Sequence, residues 1–560
     1  MFWLVLSVVF GIISYLVYKI IVKFVKSDVN EKKYDHAIII GGSIGGLISA
    51  AYLSKYFKRI TIFESDDVLN DQLMKATSDE ILDYRCRLES ASSLGRRGVK
   101  QIYQLHVLGG EGIKIIFECF PNLKDKLLNE YGARIISLNN EYRMTICGNL
   151  LNEHLTKEMN WIGVDRFTLE TLMRRELCTK CPSQVEWKSR TRVTKLLVDE
   201  SKNVVNGVKY RYREKEIDQS KQSVDSRFEL YGDFIIDCTG RRSKSVRWLQ
   251  ESLHLVIPME KINFGIGYVT FIGERFNTGN PLLDSKHVLG NVAYAPHYNK
   301  ALIMTPIRKI QTMDTNSLGT LSTIVVYGLN SEYPPNDTYE NLLEWVKEYL
   351  DPDYYLILKS TKVLSPLVPF RHAFDNRKYV ESCGKQWPKN YILLGDSMCT
   401  FNPQYGQGIT HACRHARELS NIFQEDKYKL KDISYIYNRR ASSITEECWI
   451  MSTTNDRLTP ALKIIKKDKY GKIQVHQRGG DARSSRNYAQ PKTPIMLQFL
   501  QWYNYWFLKC ASKSGELTTD FLCVVNQEKS PSTLMKPKTL VRVIHMVVTN
   551  YFNSRRTIQD

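Results

Sequence analysis

The chain has 560 residues, 43% of them hydrophobic and 24% charged, which excludes both a disordered chain and a polytopic membrane protein. A chain of this length forms more than one hydrophobic core, so we expect two or three lobes. The formal net charge is +19, but the basic residues are scattered between acidic ones, and no recognition helix, zinc finger or basic zipper accompanies them. The composition therefore argues against a nucleic-acid partner and favours a basic face toward anionic lipid or phosphate groups.

Twelve cysteines are spread along the chain without a paired framework, a usage that suits a reducing compartment. Cys178 and Cys181 form a lone C-x-x-C. A zinc site would need two further ligands at a recognisable spacing. We therefore predict ordinary thiols and no metal site.

The N-terminal residues have the composition of a membrane anchor. Residues 1–18 contain no charged side chain, and at about 1.5 Å per helical residue they span roughly 27 Å, close to a hydrocarbon core. Lys19, Lys23 and Lys26 follow, whereas a cleaved signal peptide carries its positive charge before the apolar run. We predict a single-pass, uncleaved anchor over residues 1–26 that leaves the rest of the chain in the cytoplasm, with the endoplasmic reticulum as one candidate membrane. The alternative is a buried core helix.

An apolar run at residues 36–40 leads into a glycine cluster, a helical segment and a second apolar run that ends at Glu64. This order of strand, turn, helix, strand and acid is typical of a dinucleotide-binding βαβ unit. There the first glycine makes the tight turn, the second lets the backbone approach the pyrophosphate, and the third allows close helix packing. Gly41 and Gly46 take the first and third places, and the hydroxyl of Ser43 takes the second. The alternative is an ordinary βα turn.

Helical patterns follow the βαβ unit. Residues 96–106 predict a helical run, and residues 120–123 end another. Asp165 is a candidate N-cap for an amphipathic helix with apolar residues at helical spacing.

Alternating apolar and polar residues over 185–236 predict a β-meander, with turns at Asn206-Gly207 and at residues 231–233. The meander ends in an apolar strand that runs into a polar glycine turn at residues 237–243.

The next part of the chain predicts a sheet with flanking helices, laid over the first lobe. Residues 263–326 are rich in short β-like runs, and residues 342–350 have a helical pattern. A last buried strand precedes the turn at Gly395, and a long helix through residue 423 follows the glycine-rich segment 401–408.

Beyond residue 426 the pattern is helical and then irregular. Residues 463–486 are strongly basic and predict a loop that faces solvent or lipid. Residues 495–508 are apolar and aromatic, but short for a membrane span. They predict either an interfacial helix or a packed core helix, and the sequence favours neither.

Three glycine turns thus end three apolar strands: Gly41 to Gly46, Asp237 to Ser243, and Gly395 to Gly408. Their order resembles the single-component FAD-dependent monooxygenases, the class of para-hydroxybenzoate hydroxylase and squalene epoxidase. The resemblance implies an α/β fold, α+β overall, with a Rossmann-like FAD-binding lobe, a β-sheet substrate lobe, a helical C-terminal region and one N-terminal transmembrane helix. We place the boundaries at 1–26 for the anchor, 34–255 and 376–425 for the FAD-binding lobe, 256–375 for the substrate lobe, and 426–560 for the C-terminal region.

The resemblance assigns cofactor-binding roles by position. The first turn would hold the ADP part of FAD, the second would lie near the pyrophosphate and the NADPH path, and the acid after the last strand would bind the ribityl chain. Pro403 would form a rigid wall beside the flavin, and the helix after it would place its positive end toward the flavin ring. The predicted cofactor-binding residues are Gly41, Ser43, Gly45, Gly46, Glu64, Arg166, Asp237, Gly240, Asp396, Pro403, Gly406, Gln407 and Gly408.

Neighbouring residues carry weaker predictions. Ser243 completes the second turn, and Arg241 and Arg242 are candidates to bind an NADPH phosphate. For Arg166 the alternative is a surface arginine at a helix start. Gln101 and His106 are candidates to line the approach to the flavin, although a lone histidine is more often structural.

Within the class, the sequence is most similar to the subgroup that includes the polyether epoxidases of the lasalocid type. The shared pieces are I-G-G-S-I-x-G-L, R-x-G-V-x-Q, F-P-x-L, D-x-T-G-R and G-D-x-x-x-x-F-N-P-x-Y-G-Q-G. The likeness covers residues 34 to about 460. Lys100, Gln104 and Ser397 depart from the pattern, so the substrate does not follow from it.

The resemblance implies an oxygenase that passes one atom of dioxygen to an apolar substrate through a flavin hydroperoxide. Such chemistry needs no strong general base, so we expect no catalytic acid–base pair. Electrons would come from NADPH or from a partner reductase, and the substrate from a membrane. Two rival hypotheses are an FAD-dependent reductase of isoprenoid double bonds and a non-catalytic prenyl-binding protein similar to the Rab escort group.

Overall fold

The computed structural model describes residues 32–87, 96, 99–213, 228–425, 427–478 and 489–556. The predicted anchor at 1–26 lies outside these residues. Within the ranges described, no helix combines the length and the apolar character that a membrane crossing requires.

In the described chain the strands, numbered in order, are β1 Tyr34–Ile40, β2 Phe57–Phe63, β3 Leu108–Gly109, β4 Arg134–Ser137, β5 Tyr142–Ile146, β6 Asn149–Leu150, β7 Asn160–Gly163, β8 Val185–Lys188, β9 Thr191–Asp199, β10 Val204–Tyr212, β11 Phe228–Tyr231, β12 Phe234–Asp237, β13 Met259–Phe276, β14 Val288–Val292, β15 Lys300–Lys309, β16 Ser317–Gly328, β17 Thr361–Val363, β18 Val368–Lys378, β19 Tyr391–Leu393, β20 Cys399–Thr400, β21 Lys463–Lys467 and β22 Ile473–Gln477.

The α-helices of the same ranges are α1 Ile44–Leu53, α2 Asp71–Lys75, α3 Ser78–Arg87, α4 Gly110–Cys119, α5 Leu123–Asp125, α6 Leu138–Glu141, α7 Arg166–Lys180, α8 Ser245–Leu253, α9 Pro281–Asp284, α10 Tyr339–Tyr349, α11 Pro352–Lys359, α12 Gly408–Gln424, α13 Leu430–Asp456, α14 Ile495–Ala511, α15 Gly515–Val525 and α16 Pro537–Arg556.

A parallel sheet in the order β19-β12-β1-β2-β8 forms the centre of the first lobe. Its central strands are short and largely buried, because helices such as α1 and α12 and the antiparallel sheet β9–β11 share one core with them. The predicted βαβ unit is confirmed, since β1 and β2 pair in parallel and α1 connects them. Asp165 is confirmed as the N-cap of α7, where its carboxylate accepts from Thr168 N at 3.0 Å.

A large sheet, ordered β20-β18-β13-β16-β15-β14-β5-β6 in the described chain, forms the second lobe. Helices α10 and α11 pack on one face of it around Leu342 and Ile357. The C-terminal helices α14 and α15 share a core with residues of the same sheet, including Tyr503 and Phe507. Strands β5 and β6 join this sheet from the first part of the chain, so the lobes are interleaved rather than consecutive.

Three local predictions were wrong. Asn206-Gly207 lies inside β10 at a register shift, because the backbone of β11 passes so close that a Cβ on Gly207 would be 2.1 Å from Leu230 O. In the predicted loop at 463–486, the hairpin β21–β22 pairs with β13, and residues 479–488 lie outside the described ranges. The helical run at 96–106 is reduced, in its described part, to one 3₁₀ turn at Lys100–Tyr103.

Candidate active site

The structure brings the three glycine turns together at the carboxyl ends of β1, β12 and β19. A Cβ on Gly41 would lie 2.6 Å from Cys238 O, so the first two turns are in van der Waals contact. Gly240 N donates to Ser397 Oγ at 2.8 Å, which connects the second turn to the third. This edge is where open α/β sheets bind ligands.

The first turn has the geometry that its glycines predict. Gly41 has a φ of 108°, a conformation that residues with a Cβ rarely adopt. A Cβ on Gly46 would lie 2.0 Å from Gly41 O, so only glycine lets α1 approach the turn this closely.

The side chain of Asp237 holds the second turn together through hydrogen bonds. Its fully buried carboxylate accepts hydrogen bonds from Thr239 N at 2.8 Å and Ser243 Oγ at 2.6 Å. It also accepts from Ser397 Oγ at 3.2 Å, across the two turns. Asp237 therefore holds the second and third turns in register.

A buried ion cluster lies behind the first turn. The guanidinium of Arg96 lies 2.7 Å from Glu170, 3.1 Å from Glu64 and 3.3 Å from Asp66, measured to the carboxylate oxygens. Burial alone would raise the pKa of Glu64, but Arg96 and the backbone N–H of Asp66 hold it below its ordinary value. The same ionised carboxylate accepts from Gly42 N at 3.1 Å and so stabilises the turn.

Arg166 connects this cluster to the cavity. It donates to Ser43 Oγ at 3.3 Å and to His106 Nε2 at 3.1 Å. Because a guanidinium only donates, Nε2 is the unprotonated nitrogen, and His106 donates from Nδ1 to Gln104 O at 2.8 Å. Burial, together with Arg166, lowers the pKa of His106 to about 3. His106 is thus a neutral positioning residue, and Arg166 is not a surface arginine.

The third turn presents Asp396 to the cavity. Gly395 has a φ of 60°, and its N–H donates to the Nδ1 of buried His415 at 3.3 Å. Burial lowers the pKa of His415 to about 3, which keeps Nδ1 free to accept. Arg241 Nε lies 3.6 Å from Asp396 Oδ2, and Arg241 Nη2 donates to Phe401 O at 3.0 Å.

Two helix N-termini open onto the same cavity. Helix α1 begins after Ser43 and α12 after Gln407, and neither N-cap side chain bonds to the helix backbone. Free amide groups at a helix N-terminus attract anionic or strongly polar groups. Both amide atoms of the buried Gln407 and the Nη1 of Arg241 have no hydrogen-bond partner within the described residues. These orphaned groups fit a polar, phosphate-bearing cofactor such as FAD.

The cavity has a volume of about 860 Å³ and joins two chemically different ends. One end is formed by the glycine turns, and the other by apolar and aromatic side chains of the large sheet and the C-terminal helices. Met144, Trp161, Tyr294, Tyr327 and Phe370 belong to the apolar end. An apolar molecule could therefore lie next to a polar cofactor.

A pair of buried acids lies beneath the Asn402-Pro403 wall. Asp375 accepts from Asn402 N at 2.7 Å, and Asp456 accepts from Asn402 Nδ2 at 2.7 Å. Ser452 Oγ donates to Asp375 at 3.0 Å. Burial raises the pKa of both carboxyls, and for Asp456 the charge of Asp375 adds to the effect. The pair therefore holds a proton and fixes the segment that lines the cavity.

The predicted cofactor-binding residues fall into two groups. Gly41, Gly46, Glu64 and Asp237 lie behind the cavity wall, where they shape the turns. The cavity is lined by Ser43, Gly45, Arg166, Gly240, Asp396, Pro403, Gly406, Gln407 and Gly408.

Some site residues were missed in the sequence. Arg96, Glu170 and Asp456 lie in segments that resemble the polyether epoxidase subgroup, but no role was predicted for them, and Asp375 lies in none of those segments. The spacing of Arg166, Glu170 and Arg174 at four-residue intervals on α7 indicates one charged stripe. Nothing in the local sequence indicates the acid pair, whose members are 81 positions apart.

No protein-family model matches the chain. It is similar to the protein Rv3254 of Mycobacterium tuberculosis, with 22% identity over 438 residues that cover 75% of this chain and 80% of that protein.

Solved structures give the fold. The flavin-dependent brominase Bmp2 superposes with a TM-score of 0.50 at 12% identity, over 74% of this chain and 86% of its own. PqsL, a probable FAD-dependent monooxygenase of Pseudomonas aeruginosa, superposes in its complex with 2-aminobenzoylacetate with a TM-score of 0.50 at 14% identity, over 76% of this chain and 98% of its own. These structures do not test the resemblance to the polyether epoxidase subgroup, which stays a prediction. The chain has the mixed α/β fold that Bmp2 and PqsL share.

Proposed function

We propose that this protein is an FAD-dependent monooxygenase that inserts one oxygen atom into an apolar substrate. The observation that carries the proposal is the single cavity in which two uncapped helix N-termini and the orphaned Gln407 amide meet an aromatic chamber. When bound, FAD would supply the reductive activation of dioxygen. One oxygen atom enters the substrate and the other leaves as water, at the expense of two electrons from NADPH or a partner reductase.

The residues of the cavity have distinct tasks in this proposal. The free amide groups at the N-terminus of α1 hold the pyrophosphate, and Asp396 accepts hydrogen bonds from the ribityl hydroxyls. The N-terminus of α12 and the Gln407 amide meet the polar edge of the flavin ring, where the helix dipole favours negative charge. The apolar chamber excludes water and positions the substrate.

The lining of the chamber supports an apolar substrate, because its walls are aromatic and aliphatic. A terpenoid, sterol-like, fatty or polyketide molecule fits such a lining, and epoxidation of an alkene is the reaction we propose. Anchoring by residues 1–26, with the described lobes in the cytoplasm, would place the protein at the endoplasmic reticulum or another membrane that dissolves such a substrate.

The cofactor is tested with the full-length protein purified with FAD. We expect a yellow protein whose Asp396→Ala variant binds FAD about 10- to 100-fold more weakly, because hydrogen bonds to a charged group are lost. Asp396→Asn should retain part of the affinity. Asp432→Ala serves as the control, because Asp432 is exposed and lies outside the cavity. A colourless wild-type protein would contradict the proposal and favour the non-catalytic prenyl-binding alternative.

The reaction type is tested by comparing metabolites of cells that express the wild-type protein or Asp396→Ala under isotopically labelled dioxygen. We expect wild-type products that carry one labelled oxygen atom and are absent from the variant. Products that differ from their precursors only by two added hydrogen atoms would contradict the monooxygenase hypothesis and favour the reductase of isoprenoid double bonds.

A further inference from the structure

Helix α14 has two apolar faces. Its exposed face presents Ile495, Phe499 and Trp502, which are 83%, 41% and 45% accessible. Spacings of four and three residues place them in one stripe. The opposite face contributes Leu500, Tyr503 and Phe507 to the wall of the cavity. Only the thickness of this one helix therefore lies between the cavity and the exterior on this side.

Met496 marks the place where the two faces meet. It lines the cavity and is nevertheless 68% exposed. A side chain with both properties lies at a mouth. The apolar end of the cavity thus opens beside the exposed stripe of α14.

Helix α16 packs against α14 and carries an exposed apolar stripe of its own. Its backbone lies against α14, where Cys510 Sγ is 3.8 Å from Arg542 O. Val543 is buried on the inner side, whereas Val541, Ile544, Val548 and Phe552 are exposed. Spacings of three, four and four residues again give one face.

Charge and side-chain type favour a lipid surface over a protein partner. Residues 489–560 contain nine Lys and Arg against four Asp and Glu, and basic residues beside an apolar face attract anionic headgroups. The ammonium of Lys509 lies 4.7 Å from the ring centroid of Tyr505 and 4.9 Å from that of Trp506. Aromatic rings beside a long cationic side chain suit the boundary between hydrocarbon and headgroups.

We propose that the exposed faces of α14 and α16 form a docking surface for an anionic lipid bilayer, and that apolar molecules pass from the bilayer into the cavity at Met496. The docking surface stands independently of the cofactor. The passage of a substrate rests on the proposed function.

The predicted anchor at 1–26 would hold the full-length protein on vesicles by itself, so the test needs a local signal. Brominated lipids quench tryptophans that enter the acyl region. We expect brominated phosphatidylserine–phosphatidylcholine vesicles to quench the wild type more than Trp502→Phe. The control Trp345→Phe, on α10, should lose the same fluorescence intensity to the brominated lipids as the wild type. Equal quenching of all three proteins would overturn the docking surface.

A double variant that introduces two negative charges tests the same surface through the transfer of an apolar probe. Phe499→Glu with Ile544→Glu should slow the loading of cis-parinaric acid from the vesicles at least about tenfold, since two apolar contacts are lost and two negative charges face anionic lipid. Loading from aqueous solution should not change. Met313→Glu with Ile473→Glu is the matched control, because both side chains are exposed elsewhere. Unchanged loading from vesicles would overturn the passage.

A second copy of the chain is the competing occupant. If a second copy covers this surface, sedimentation in lipid-free buffer should show a dimer that the double variant Phe499→Glu with Ile544→Glu dissociates. This result would overturn the lipid assignment. FAD content is measured on the same samples. A yellow protein whose Trp502 is not quenched would refute the docking surface but leave the proposed oxygenase function standing. A colourless protein whose Trp502 is quenched would refute the oxygenase function but leave the docking surface standing.

Discussion

At the residue scale, the site depends on charges that are buried and compensated. Arg96 serves three carboxylates at once, and Glu170 connects it to Arg174 at 2.8 Å. Removing one partner of such a cluster leaves an uncompensated buried charge, which costs far more than the loss of a surface ion pair. The cluster lies directly behind Ser43, whose Oγ donates to Glu170 at 2.6 Å. Buried charge therefore fixes the orientation of a cavity-lining hydroxyl.

The acid pair Asp375–Asp456 makes stability depend on pH. Burial raises the pKa of Asp375 to about 6, so between about pH 4 and pH 6 the folded chain binds more protons than the unfolded chain. The contribution of the pair to stability is then largest at low pH and decreases as the pH rises through this window.

Asp456→Asn should weaken this dependence, because it removes one acid while its amide oxygen still accepts from Asn402. We expect the melting temperature of the variant, relative to the wild type, to rise between about pH 4 and pH 7. Thermal denaturation followed by circular dichroism measures the difference, and exposed Asp432→Asn is the control. A difference that stays constant with pH would show that the pair does not share a proton in the folded chain.

At the scale of elements, the turn before α12 sets where the N-terminus of that helix lies in the cavity. Gly406 has a φ of 63° and directly precedes Gln407, so the chain reverses just before α12 begins. A Cβ on Gly406 would meet only Val107, at 4.0 Å, which also lines the cavity. The added methyl group would therefore project into the cavity.

Gly406→Ala should weaken FAD binding more than it weakens the fold. The left-handed backbone alone costs about 1–2 kcal/mol, and the intruding methyl group should reduce FAD affinity about tenfold. Gly279→Ala is the control, because Gly279 also has a positive φ, 84°, and an added Cβ there meets nothing within 4 Å. Titration of each variant with FAD, together with its urea denaturation, separates the two effects. Equal loss of FAD affinity in both variants would refute the role of Gly406.

At the scale of the whole molecule, the cavity belongs to no single lobe. The parallel sheet supplies the polar end, the large sheet supplies the aromatic walls, and α14 closes the far side. A ligand that spans these parts stabilises them together, because it binds only the folded arrangement.

FAD at about 100 times its dissociation constant should therefore raise the free energy of unfolding by about 2.7 kcal/mol. Riboflavin should do much less at the same concentration, because it lacks the pyrophosphate that the helix N-termini would bind. Thermal shift measurements with both compounds provide the comparison. A riboflavin shift as large as that of FAD would remove the pyrophosphate site from the proposal.

The sequence by itself determined the features that depend on neighbouring residues. The βαβ unit, the Asp165 cap and the three glycine turns could be predicted, because each is encoded within a few positions by backbone freedom, hydrogen-bonding side chains and apolar periodicity.

Only the tertiary structure decided the features that depend on distant residues. Asn206-Gly207 has the local signature of a turn, yet strand pairing makes it a bulge. The sequence favoured neither an interfacial nor a packed core helix for residues 495–508; in the structure α14 lines the cavity on one side and exposes apolar residues on the other. Contact of that exposed side with a membrane stays a proposal. The ion cluster and the acid pair join residues from separate elements. Burial and charge compensation arise when the chain packs, so no local pattern reports them.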